Sequence, residues 1–341
     1  MDLRYVVARN EATGRGELRC TLTAERLYPC GDEILVRVSA AALGYRDVML
    51  ADRPLPAGFT PVVPLCEGAG VVVDVGNAVT AFRPGDHVVG IAVQDWMSGP
   101  RQDRDADSTL GEGMDGMLAN YVLLKQWGAL PTPEYLSPTE AAALPFAGLT
   151  AWNALFEAGA PVKKGDSVLI HGTDDIAVSA AQFAKAIGAS VVLTSAQDES
   201  KALALRELGV DAVVDYRADW GSEVKELTRG VGVSRVLDMG GEGTLTKSFE
   251  ALAGGGVAVM AGGIARSGHA GVDLRRLLER GQSLHGVSGG AKDSFERMMR
   301  FIKRRKLCPL VDRVFDIEHA QDAYDYVRCC SPFGKVVIQL T

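Results

Sequence analysis

The chain has 341 residues, 47% of them hydrophobic, and carries 43 acidic against 36 basic side chains for a net charge of −7. That length can fill two cores, and the acidic balance disfavours nucleic acid as a partner. No apolar run is long enough to span a membrane and MDLRYVVARN lacks the apolar stretch of a secretion signal, which predicts a cytoplasmic protein with no membrane partner.

The first 125 residues alternate short branched-residue runs with Gly, Pro and Asp. Strands are predicted at Glu33 to Ser39, Gly70 to Val75, His87 to Ala92 and Ala119 to Leu124, an all-β pattern that suits a partly open barrel. Between Gln94 and Gly116 lies a polar, acid-rich and glycine-rich stretch, too long for an ordinary connection and expected to form a lobe or lid. Trp96, Met97 and Met114 flank it and either line an apolar pocket or fasten the lobe down. At Ser137 the character changes: SPTEAAALPFAGLTAWNAL opens on a helix cap and carries small residues suited to close packing. Trp152 is expected to pack between domains.

Residues 166 to 195, DSVLIHGTDDIAVSAAQFAKAIGASVVLTS, read as strand, tight turn, helix, strand. Ile176, Ala180, Phe183, Ala184 and Ile187 recur at helical spacing, and Gly188 closes the helix. In such a unit a dinucleotide lays its pyrophosphate on the helix N-terminus, and the turn wants glycine at its first, third and sixth positions so that the backbone can approach the phosphates. Here those positions hold Gly172, Asp174 and Ala177, and Asp175 adds a second acid. A carboxylate at 4 Å opposes a phosphate by about 1 kcal/mol in water and by more where solvent is excluded. Two readings stay open: the acids cap the helix, or the turn has lost affinity for a nucleotide.

The alternation then continues. Helices are predicted at Ser200 to Leu208, Ser222 to Thr228, Leu245 to Leu252 and Leu274 to Arg280. Strands fall at Ala212 to Val214, Arg235 to Asp238, Val257 to Ala261 and Ser283 to Val287, so that six strands make a parallel sheet covered on both faces. A helix at Asp293 to Arg304 and a strand at Lys335 to Leu340 follow. That strand lies outside the sheet's rhythm and is expected to return to the N-terminal barrel. Lys303 to Lys306 reads as a solvated helix face, and His171 as a buried, hydrogen-bonded core residue rather than a catalyst. The cysteines (Cys20, Cys30, Cys66, Cys308, Cys329, Cys330) form no C-x-x-C pair and default to small buried hydrophobes, Cys66 included.

In this order the segments ALGYRDVML, PLCEGAGVVVDVGNAVTAFRPGDHVVG, DGMLANYVLL, AAALPFAGLTAW, ALAGGGVAVMAGG and SPFGKVVIQL, with the βαβ unit, resemble the medium-chain dehydrogenase/reductase superfamily over nearly the whole length. The resemblance implies an α/β fold, a doubly wound parallel (Rossmann-like) sheet inserted in a GroES-like β-barrel catalytic domain. The domains would be 1–146 and 291–341 for the barrel and 147–290 for the nucleotide unit, with an active-site cleft between them and a homodimer as the usual assembly. Zinc alcohol dehydrogenases of the family take their catalytic ligands from positions that here carry Gly44 or Tyr45, Cys66 and Phe146. One thiol and no imidazole cannot make a three-ligand site, and the four-cysteine structural lobe is absent. LGYRD echoes the LNFRD of the zinc-free quinone oxidoreductases and polyketide-type enoyl reductases. No metal ligands are therefore expected.

Those relatives transfer a hydride from NADPH to the β carbon of an activated double bond, and the resemblance implies the same for a small hydrophobic enone, quinone or enoyl thioester, or a carbonyl. The developing enolate needs donors and a proton source. Tyr45 is the expected donor with Asp47 as its companion; alternatively Tyr45 is a wall of the cleft whose hydroxyl meets Asp47 or the backbone. Gly44 stands where relatives keep an Asn. The resemblance places the cofactor against Gly172, Thr173, Asp174, Asp175 and Ile176, with Thr194, Ser195, Lys201 and the Tyr216–Arg217 pair favouring NADP over NAD, since no acid ends the second strand. Gly262, Gly263, Ile264, Val287 and Ser288 match the nicotinamide pocket. The second reading is a repurposed member with a degenerate nucleotide site that performs a non-redox cyclisation or isomerisation of a hydrophobic metabolite.

Overall fold

A computed structural model describes residues 2–24, 26–194, 199–215, 217–261, 271–330 and 332–341. The chain divides into two compact units, Met1–Ala147 with Gly289–Thr341, and Gly148–Ser288. No helix among the described residues is long and apolar enough to cross a membrane.

The first unit is built on the strand Glu33–Leu43, in which Ile34, Val36, Val38 and Ala40 are buried at every second position, as a pleated strand facing a core requires. Its sheet runs Val311–Asp316, Lys335–Gln339, Glu33–Leu43, Glu67–Val75, His87–Gly90, Ala129–Pro131, and Tyr121–Lys125 also pairs with Glu33–Leu43. The last strand of the chain pairs antiparallel with Glu33–Leu43, the return expected from sequence. Several elements escaped that reading, the helix Tyr45–Asp52 and the strand Ala129–Pro131 among them. The hairpin Asp2–Arg9 with Gly16–Thr23 and the strand Val311–Asp316 are rich in charged residues and partly solvated, which hides their alternation. The helix Ala320–Cys330 buries only Ala320, Ala323, Tyr324 and Val327. Five of the cysteines are exposed and only Cys66 is buried, so the default of buried thiols fails for all but one.

The stretch from Gln94 to Gly116 is an ordered lobe. It contains the short helix Asp103–Ser108, whose Asp105 is buried and accepts a hydrogen bond from the Gln102 amide at 2.7 Å. Its Trp96 and Met97 carbonyls accept from the amides of Lys292 and Asp293, so this end fastens to the start of the helix Lys292–Arg305.

In the second unit all pairings are parallel, in the order Ala212–Val214, Ser190–Thr194, Ser167–His171, Val233–Asp238, Leu252–Ala261, Ser283–Val287. The chain winds outward from Ser167–His171 in one direction and from Val233–Asp238 in the other. The gap between the ends of these two strands is the switch point where doubly wound sheets take ligands. The helix Asp175–Ile187 buries Ile176, Ala180, Phe183 and Ala184 on one face, and Gly188 ends it at φ +85. Trp152, expected between domains, packs inside this unit against Phe156 and Phe183, at 4.5 and 6.3 Å between ring centroids. Arg235 lies inside the sheet and donates to the carbonyls of Ala154 (3.0 Å), Ala158 and Ala160. Its guanidinium thus caps the end of the helix Leu149–Phe156. Burial holds its pKa down at about 10.

Candidate functional site

Each unit presents one candidate site. In the first, the helix Tyr45–Asp52 starts after Gly44, and the Asp47 carboxylate accepts a hydrogen bond from the Gly44 amide at 2.9 Å. Asp47 is buried, and it satisfies a donor at the helix entry, a positioning task. Tyr45 is 59% exposed, and its hydroxyl has no hydrogen-bond partner among the described residues. The expected contact between Tyr45 and Asp47 is therefore not made: the cap turns Asp47 inward while Tyr45, at the first helical position, points outward.

Arg46, between them, is the residue that sequence reasoning passed over. Its Nη1 donates to the Cys66 thiol at 3.7 Å, its Nη2 to Glu112, and its guanidinium lies 5.1 Å from the Phe146 ring centroid. Arg53 reaches the other oxygen of Glu112 at 4.0 Å. Cys66 is fully enclosed, and burial pushes its thiol well above the usual range; the neighbouring carboxylates add to this and Arg46 only partly opposes it. Burial alone would lower the pKa of Arg46, but the neighbouring carboxylates of Asp47, Glu112 and Glu67 help to outweigh it and raise the guanidinium further. The neighbourhood thus holds a neutral thiol beside a permanent cation.

The frame around these groups is rigid. Leu65, a buried non-glycine residue, sits at φ +71, a conformation costing about 1–3 kcal/mol that persists only where the surroundings enforce it. They do so through the Met117 amide, which donates to the Leu65 carbonyl at 2.8 Å. Glu67 accepts from the amides of Phe146 (2.8 Å) and Ala147 (3.2 Å), and its second oxygen pairs with Lys335 in a fully buried ion pair. No sequence signal joins Glu67 to Lys335, which lie 268 residues apart.

These residues do not fit a catalytic zinc. Of the expected ligand positions, Phe146 offers no lone pair, Gly44 has no side chain, and the guanidinium beside Cys66 repels a second cation. Among the described residues no three His, Cys, Asp or Glu side chains converge as a metal site.

In the second unit the turn after Ser167–His171 has Gly172 at φ +88, as a tight strand-to-helix corner needs. Asp174 is the N-cap of the helix, its carboxylate accepting from the Ala177 amide at 2.9 Å, and the Asp175 carboxylate accepts from the Ile176 amide at 2.9 Å. The capping reading of the two acids is the one the fold realises, and it bears directly on a nucleotide. Two of the amides at the helix N-terminus, where an anion settles, are thus already bonded to carboxylates, and a diphosphate would have to displace them.

Beneath the turn, His171 is buried and hydrogen-bonded, as read from sequence. Its Nε2 lies 3.0 Å from the Ser248 hydroxyl, which donates to Asp238 at 2.5 Å. The other oxygen of Asp238 gathers the Gly240 and Gly241 amides (3.0 and 2.9 Å) and the Thr244 hydroxyl. This chain ties together the two strand ends at the switch point. Ser248 and Asp238 carried no sequence signal as a pair.

Of the remaining cofactor candidates, Thr194 ends the second strand as predicted. Lys201 lies on the helix Glu199–Glu207 and is half-buried. Arg217, expected to be available for a phosphate, grips Asp215 through Nε and Nη2 at 2.8 to 3.2 Å, which pulls that carboxyl down to about 2. Val287 ends the strand Ser283–Val287 and Ser288 is exposed. Ser195, Tyr216, Gly262, Gly263 and Ile264 lie outside the described residues.

Comparison with known proteins agrees with this architecture. Residues 31–134 match the family profile described as alcohol dehydrogenase GroES-like domain, and residues 176–304 the one described as zinc-binding dehydrogenase. The chain is 35% identical to the zinc-type alcohol dehydrogenase-like protein C1773.06c of Schizosaccharomyces pombe, over the full length of both. It is 26% identical to an acryloyl-coenzyme A reductase of Metallosphaera sedula, covering 91% of this chain and 93% of that protein. The crystal structure of an NAD-dependent alcohol dehydrogenase superposes with a TM-score of 0.83 at 33% identity, covering 100% of both chains.

Proposed function

The chain belongs to the medium-chain dehydrogenase/reductase superfamily, and from that premise we propose that it is a zinc-independent oxidoreductase acting on an activated C=C or C=O bond, with NADPH as its reductant. The substrate class is a small hydrophobic enone, quinone or enoyl thioester. The relatives support an oxidoreductase enzyme, and one of them is named for reducing an unsaturated acyl thioester. The observation that carries zinc independence is the guanidinium of Arg46 lodged between Cys66 and Phe146. Tyr45, exposed beside it, is the proposed proton donor, and Asp47 the group that fixes the helix bearing both. NADP is favoured over NAD because Thr194 stands where an acid would hold the ribose.

A second reading is favoured by one specific observation, the bonding of the Ile176 and Ala177 amides to Asp175 and Asp174. In that reading the nucleotide is lost and the protein performs a non-redox cyclisation or isomerisation of a hydrophobic metabolite. Titration with NADPH, NADP and NAD, followed by nicotinamide fluorescence and thermal shift, separates the two. Saturable binding supports the redox reading, and no response at about millimolar nucleotide overturns it. We also propose a homodimer. The strand Ser283–Val287 is the edge of its sheet and exposes Leu284, an arrangement that pairing with a second copy would cover.

A further inference from the structure

We propose that the guanidinium of Arg46 is the group that receives the carbonyl oxygen of the substrate and stabilises the negative charge that develops on it. The ligand class is an α,β-unsaturated carbonyl compound, an enone or thioester. This rests on the reading of the chain as an enzyme of conjugated carbonyl substrates, and is indifferent to whether a nucleotide binds.

Three observations carry it. First, position: the fold gathers Cys66 and Phe146 around the Arg46 head group, at 3.7 Å and 5.1 Å, and Gly44 and Tyr45 immediately precede it in the chain. The charge is thus held in a fixed place between a thiol and an aromatic face. Second, the guanidinium is held but not enclosed. Cys66 and Phe146 fix its orientation, Asp47 fixes the start of its helix, and the Glu67–Lys335 pair fixes the Phe146 backbone, yet 28% of the Arg46 side chain stays open to solvent. A donor fork oriented in advance needs no rearrangement when charge appears on an oxygen beside it. Third, an oxygen ligand already lies there. Glu112 places a carboxylate against Nη2 from the turn that Gly111 begins at φ +78, while Arg53 lies 4.0 Å from its other oxygen. The side chain of Glu112 is itself 26% exposed, so a substrate oxygen can displace it.

The test uses the nucleotide-free full-length protein and benzylideneacetone, whose conjugated absorption moves to longer wavelength when its carbonyl oxygen meets a cationic donor. Binding to the wild type is expected to produce that red shift. Arg46→Met should abolish the shift and weaken binding roughly 10- to 100-fold, the loss of one charge-assisted hydrogen bond, with Arg46→Lys recovering part of both. Glu112→Gln removes the competing carboxylate and should tighten binding and deepen the shift, so that it decides the matter even where Arg46→Met fails to fold. The proposal is overturned if the wild type gives no shift, if Arg46→Met retains it, or if Glu112→Gln binds the probe no better. A failed nucleotide titration would leave each of these outcomes unchanged.

Discussion

Replacing Asp174 and Asp175 together by glycine tests the central feature of the second unit. In the wild type a diphosphate reaches the Ile176 and Ala177 amides only after both carboxylates turn away from hydrogen bonds of 2.9 Å. Losing the N-cap bond costs about 1 kcal/mol. Two displaced carboxylates that remain near 4 Å from the phosphates oppose them by about 1 kcal/mol each in water. The sum is about 3 kcal/mol, so the double variant should bind NADPH roughly 100-fold more tightly. Asp174→Gly alone should give the larger share, because Asp174 is the residue that caps the helix. The gap should narrow as salt rises, since two of the three contributions are exposed electrostatics. Isothermal titration at low and at physiological ionic strength reads both effects. The helix loses its cap and two favourable charges at its N-terminus, so a thermal midpoint slightly below wild type accompanies the gain. Unchanged nucleotide affinity in a folded double variant would refute the reasoning, because the acids would then not be what stands between the turn and a phosphate.

Three further outcomes follow from buried groups. Lys335→Met leaves the Glu67 carboxylate buried without its cation and should lower stability by about 3–5 kcal/mol in urea unfolding; adding Glu67→Gln should recover part of the loss, because no charge then remains buried. Arg235→Met strips the Ala154, Ala158 and Ala160 carbonyls of their donor and should cost about 2–4 kcal/mol, with the loss confined to stability. Burial lowers the pKa of His171, and the nearby Asp238 only partly opposes it. The unfolded chain therefore takes up a proton below about pH 6.5 that the folded chain refuses. The stability from a neutral His171 is complete above that pH and declines as pH falls toward the folded pKa, by up to about 1.4 kcal/mol per pH unit. His171→Gln should flatten that part of the unfolding-against-pH curve relative to wild type, and parallel curves would show that His171 is not the titrating group.

Periodicity determined much of this protein from sequence alone. The six parallel strands, the helix from Asp175 to Ile187 with Gly188 at its end, and the return of Lys335–Gln339 to the first unit were all legible. Buried faces repeat at the spacing of the element that carries them, and turns need particular residues. The unsuitability of Phe146 and Gly44 as metal ligands was legible too, since it follows from residue type. Charged, half-solvated elements such as Gly16–Thr23 and Val311–Asp316 were not, because solvent exposure erases the alternation.

Tertiary structure alone decided which side chains meet. Arg46, Cys66, Glu112 and Phe146 are brought to one place by a strained turn at Leu65 and by the buried Glu67–Lys335 pair, contacts between segments far apart in the chain. Such contacts carry no local period, since they depend on how whole sheets pack. The acids of the turn show the same division. Sequence placed Asp174 and Asp175 beside a helix start, but whether they cap its amides or face away depends on backbone angles that only the assembled corner fixes.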